Sequence, residues 1–73
     1  MDAPGVSGAI LVDVRSGLSL GTLGRAREDD APQLAVASRA ACDGEGVGMV
    51  SLHGARVVLR RGDKVLVGVY RDS

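Results

Sequence analysis

The chain predicts an α+β fold, a five-stranded antiparallel sheet with one main helix in the order β-β-α-β-β-β. Three observations predict it. Five short apolar runs alternate with glycine-containing turns, the pattern of strands. A single Ala-rich segment starts on acids and a proline and stops before glycine, the pattern of a helix. The apolar runs also carry hydrophobic side chains on both of their faces, so the sheet they build has no solvated side.

The first strand is "GAILVDV" (8–14), β-branched and bounded by Gly8 and by Arg15-Ser16-Gly17. The stretch "GLSLGTLG" (17–24) comes directly after it. Gly17 is expected to supply a hairpin turn, and Leu18 and Leu20 alternate with Ser19 and Gly21 as a half-buried second strand. Gly21 and Gly24 are expected to mark a close approach and the strand exit. The helix runs from Ala31 to Cys42, with Asp29 or Asp30 as its cap, Pro32 in its first turn and Gly44 at C′. Leu34, Ser38 and Ala41 share one stripe of it, with Ala35 and Ala37 beside them. Most of these side chains are small, so a neighbour must approach closely.

Three strands complete the chain: "VGMVSLHG" (47–54), "ARVVLRRG" (55–62) and "KVLVGVY" (64–70), joined at His53-Gly54 and Gly62-Asp63 by hairpins. Along the last, Val65, Val67 and Val69 point one way and Leu66, Gly68 and Tyr70 the other. Val47 and Met49 likewise oppose Val50 and Leu52. One helix cannot cover both faces, and an uncovered apolar face on a small protein marks a contact site.

Length and composition point the same way. A domain of 73 residues buries only about 60% of the surface its unfolded chain exposes and usually needs a staple. Cys42 and His53 are the only cysteine and histidine, so neither an internal disulfide nor a Cys/His zinc cluster is available. A partner chain is the remaining staple. Net charge is zero, which lacks the electrostatic footprint of a nucleic-acid binder. No apolar run approaches the length of a membrane span. The opening "MDAPGVSGAI" has no basic region like that of a signal peptide, and Asp2 stands where myristoylation needs glycine. Charge is nonetheless uneven. Residues 1–45 hold four arginines against seven acids, a net of −3, and residues 46–73 hold five bases against two acids, a net of +3.

Candidate chemistry is sparse. A phosphate-binding loop needs Gly-Lys-Ser/Thr at the head of a helix, whereas "GLSLGTLG" runs into "RAREDD". The tripeptide Arg61-Gly62-Asp63 reads as a hairpin turn. Ser51 and His53 share a strand face, but no orienting group or oxyanion hole accompanies them. Cys42 lies at the negative end of the helix dipole, the wrong end to favour a thiolate. No catalytic, metal or cofactor constellation is expected. Arg56, Arg60 and Arg61 form the one exposed-looking charge cluster, suited to docking an acidic patch.

Gly8, Asp13, Gly17, Leu18 and Leu20 match the "G-x-x-x-x-D…G-L-x-L" first hairpin of the roadblock (dynein light chain) family, which the strand and helix order also resembles. The likeness continues through the acidic helix start, "LAVASRAA" and "VVLRRGDKVLVGVYR", from about Val6 to Arg71. Within that family the chain is most similar to subunits of Ragulator-type scaffolds. The resemblance implies a single roadblock-like, profilin-like domain over residues 1–73, without the N-terminal helix that members usually carry. It implies a non-enzymatic protein that pairs the strand after the helix edge to edge with a partner, the two helices side by side. Leu34, Ala35, Ser38, Ala41, Val47, Met49 and Ser51 would then form the dimer interface. The implied partners are a sister roadblock-domain subunit, other Ragulator subunits and the Rag GTPase heterodimer, with no nucleic acid and no direct membrane insertion. The implied location is cytoplasmic, held by partners on the late endosome or lysosome surface. A homodimeric roadblock protein of the dynein light chain or GTPase-regulator type is the alternative.

Overall fold

A computed structural model describes residues 5–52 and 54–71. The elements are β1 (Val6–Asp13), β2 (Ser19–Gly24), α1 (Asp30–Ala41), β3 (Val47–Leu52), β4 (Ala55–Arg61) and β5 (Val65–Arg71), in the order expected from the sequence. The strands form one antiparallel sheet, ordered β2-β1-β5-β4-β3. Each hairpin pairs neighbours in sequence. The single long-range joint is β1 with β5, where Val6 stands opposite Arg71 and Asp13 opposite Val65.

α1 lies on one face of this sheet. Alternation along the strands supplies that face with Ile10 and Val12 from β1, Ala55, Val57 and Leu59 from β4, and Leu66 and Tyr70 from β5, all buried. Gly68, between the last two, brings β5 close beneath Ile10 and Val57. The helix contributes Ala31 and Leu34 to this core, and Ala35, Ala41 and Cys42 pack at its margin. Leu34 is thus the one large apolar side chain that α1 buries. Gly48 explains how the helix sits so low over β3: a Cβ there would stand 2.4 Å from the Ala41 carbonyl oxygen.

The helix start departs from the expected cap. Asp29 occupies the N-cap position, but it makes no side-chain cap bond. Asp30 points inward, and the Tyr70 hydroxyl donates to its Oδ2 at 2.7 Å with both residues buried. This bond ties the start of α1 to the end of β5 across 40 residues. Burial, the hydrogen bond to Asp30 and the charge of Asp30 all push the Tyr70 hydroxyl far above its ordinary value of 10.0, with Arg25 opposing. An unfolded tyrosine ionises near pH 10 while the folded one keeps its proton, so this contribution is complete below about pH 10 and declines as pH rises. Tyr70→Phe, which takes a donor from a buried carboxylate, is expected to cost about 1–3 kcal/mol. The same variant should flatten the alkaline limb of stability. Urea melts at pH 7 and at about pH 11 check both effects.

The helix end also differs. The chain leaves α1 at Cys42 in extended conformation, with Cys42 N–H donating to the Ser38 carbonyl, so Gly44 does not serve as a C′ residue. Asp43 Oδ1 instead accepts from the Glu45 and Val47 amides and shapes the turn into β3.

In β2 the expected burial of leucines is reversed. Leu18 and Leu20 are exposed, and Ser19 is the partly buried residue between them. A register shift explains it: Leu11 faces Gly21 and Val12 faces Ser19, so Leu20 is an extra residue in an edge strand. Gly21 has open space around it and makes no close approach. Gly24 does: its φ is +61° and a Cβ would lie 2.2 Å from the Ser7 carbonyl oxygen. Gly17 closes the turn after β1, its amide donating to the Asp13 carbonyl.

Candidate functional site

The residues on the side of the sheet away from α1 are the ones left without cover. They result from the same alternation that fills the core. Where Leu66, Gly68 and Tyr70 go under the helix, Val65, Val67 and Val69 are left on the other face. Leu11 from β1, Val58 from β4, and Val47 and Met49 from β3 join them. Leu11 and Val67 are each 38% exposed, Met49 55% and Leu23 65%, so this is an open apolar face. The expectation that one helix leaves a sheet face bare therefore holds among the described residues.

Two edges bound this face. β2 closes one side, and β3 closes the other, pairing only with β4. At the start of that edge the outward amide and carbonyl of Val47 are bonded to Asp43, so the edge open to another strand is the part beyond it, at Met49 and Ser51.

The residues expected at a dimer interface divide among three places. Val47, Met49 and Ser51 lie together on β3, exposed on the open face. Ala35 and Ala41 are half-buried at the core margin, and Ala41 stands directly over Gly48 of β3. Leu34 and Ser38 are buried at 1% exposure against the sheet, so they belong to this chain's own core and not to a partner-facing stripe. The Ser38 hydroxyl is satisfied locally, donating to the Ala35 carbonyl at 2.8 Å. The reason is the small size of its neighbours: an Ala-rich helix settles close enough to the sheet to bury a serine. Val36, which lies off that stripe, is the exposed large apolar residue of α1.

The arginine cluster is also redrawn. Arg56 and Arg60 share the open face, one on either side of Val58 in the alternation. Arg61 has the opposite parity, stands across from Leu66, and lines the loop side with Asp43 and Glu45. Arg71 takes its place, standing directly opposite Arg56. Only strand register reveals that pairing. Of Arg61-Gly62-Asp63, Arg61 ends β4 while Gly62 and Asp63 lie in the turn to β5, where the Gly62 amide donates to the Val65 carbonyl at 2.7 Å. Ser51 is exposed, and His53, its suggested companion, lies outside the described residues.

Among the described residues, no group of three or more His, Cys, Asp or Glu is placed to hold a metal ion. No helix among them is long and apolar enough to cross a membrane. What this geometry offers chemically is surface: a strand edge and an apolar sheet face bearing arginines. These define an α+β chain built on a five-stranded antiparallel sheet, covered on one side by the helix and, among the described residues, bare on the other. No protein-family model matches the chain, and no curated protein matches it.

Proposed function

We propose that this chain is a roadblock-type scaffold subunit, non-enzymatic, which pairs with a sister roadblock-domain subunit and helps to hold Rag GTPases at the lysosomal surface. The reading takes up the resemblance to Ragulator subunits, and in particular to the small one known as hepatitis B virus X-interacting protein. The observation that carries it is β3: the strand after the helix is an edge strand, open beyond Val47 along Met49 and Ser51, with α1 set low over it at Gly48. Edge-to-edge pairing there would extend the sheet through a partner and remove an aggregation-prone edge. Support for amino-acid-dependent activation of TOR complex 1 would come from the GTPases such a scaffold gathers. Attachment to the late endosome or lysosome would come through other Ragulator subunits.

Light scattering tests the pairing, with the chain purified alone and co-expressed with a roadblock-domain subunit from the same organism. A discrete one-to-one heterodimer on co-expression is expected, with ill-defined association of the chain alone. A homodimer that persists on co-expression would move the chain to the self-pairing branch of the family. A monomer under both conditions would overturn the reading.

A further inference from the structure

Pairing through β3 leaves most of the open face unused. Two shallow grooves cross it and share Val67. One, of about 350 Å³, lies toward β2 beside Leu11 and Leu23, and the other, of about 230 Å³, lies toward β4 between Arg60 and Arg71. Register joins their floors. Leu23, Ala9, Val69, Val58 and Met49 stand opposite one another, strand by strand, across the whole sheet. Charge is confined to one half of this row. Arg56 and Arg71 stand beside it on one side and Arg60 on the other, while the β1 and β2 half is flanked by Leu11 and Gly21. Among the described residues no carboxylate pairs with any of these three arginines.

We propose that this face seats an amphipathic helix of a partner protein, acidic on both flanks over β4 and β5 and apolar over β1 and β2. The dimensions suit it: five strands spaced about 4.8 Å apart place the outer two about 19 Å from each other, the rise of roughly 13 helical residues. An apolar stripe on such a helix covers the row, and acids to either side of the stripe meet Arg56 and Arg71 or Arg60. Complementary charge then fixes the direction in which the helix lies. The same arginines oppose a second copy packed face to face, because they would meet their own kind. A lipid surface is the poorer occupant, since membrane-seated faces carry aromatic anchors. Tyr70, the chain's only aromatic residue, is buried under α1 on the opposite side. Helix docking on this face does not depend on β3 pairing, and the two stand or fall separately.

The test uses the full chain and two fluorescent peptides of about 15 residues, each with a leucine stripe at helical spacing, one flanked by glutamates and one by lysines. Fluorescence anisotropy is expected to show the glutamate peptide bound at least about tenfold more tightly. Amide shifts should map it to Ala9, Val58, Val67 and Val69. Val67→Asp should lose that binding while keeping the parent's circular dichroism and its behaviour in light scattering. Arg60→Glu, a change at an exposed position, should weaken the preference for the glutamate peptide or reverse it. Equal binding of the two peptides, binding of neither, or shifts confined to α1 would each overturn the proposal. So would preferential binding to vesicles of phosphatidylserine and phosphatidylcholine.

Discussion

Leu34→Ala is expected to remove a large part of the chain's stability. Leu34 is the only large apolar side chain that α1 buries, and the helix residues around it in the core are alanine and serine. Removing a buried leucine costs about 2–5 kcal/mol, the upper part of that range applying where the site cannot collapse. Here the floor beneath Leu34 is a paired sheet, which cannot rise to fill the space. A chain of 73 residues has a total stability of only about 4–11 kcal/mol, so the loss is a large fraction of the whole. Urea denaturation monitored by circular dichroism measures it. The outcome also decides where Leu34 acts. If it faced a partner, the variant would melt like the parent and lose only association.

Gly24→Ala is expected to be nearly as damaging, and Gly21→Ala, three residues away in the same strand, harmless. At Gly24 two costs add. The left-handed backbone, φ +61°, penalises a Cβ by about 1–2 kcal/mol. The added carbon would also meet the Ser7 carbonyl oxygen at 2.2 Å and the Gly8 Cα at 2.9 Å, an overpacking worth about 1–3 kcal/mol more. Both obstacles are backbone, so neither can rotate away. At Gly21 a Cβ meets nothing within 4 Å. Restricting the unfolded chain there should leave stability unchanged or raised by up to about 1 kcal/mol. Parallel urea melts of the two variants make the comparison. Equal losses would show that flexibility of the stretch, and not the local geometry of Gly24, is what the glycines provide.

The contrast bears on how the stretch "GLSLGTLG" is read. A cluster of three glycines resembles a phosphate cradle, and only the residues on its C-terminal side separate the two meanings. Gly17 turns the chain, Gly24 lets β2 leave the sheet against β1, and Gly21 does neither. Composition cannot divide the roles among them, because each depends on the backbone that lies across the strand.

Much of the fold was legible in local pattern. Alternation in "KVLVGVY" separates Val65, Val67 and Val69 from Leu66, Gly68 and Tyr70, and those two sets do occupy opposite faces. The position of α1 was set by its acids, its proline and its alanines to within a residue at each end. Even the bare sheet face was evident from counting apolar strand faces against a single helix. These features are local, since a period of two or of 3.6 is carried by neighbouring residues.

Tertiary structure decided the rest, and each case involves residues far apart in the chain. The inward turn of Asp30 depends on Tyr70, 40 residues away, which supplies the hydroxyl it accepts from. Arg71 joins Arg56 because β5 lies beside β4 in a given register, and Arg61 falls away because it is one residue out of phase. Leu34 and Ser38 face the core because alanines let α1 settle close to the sheet. Periodicity states which side chains share a face. Which face the helix takes, and which residue stands opposite each other one, is set by packing between segments that meet only when the chain has folded.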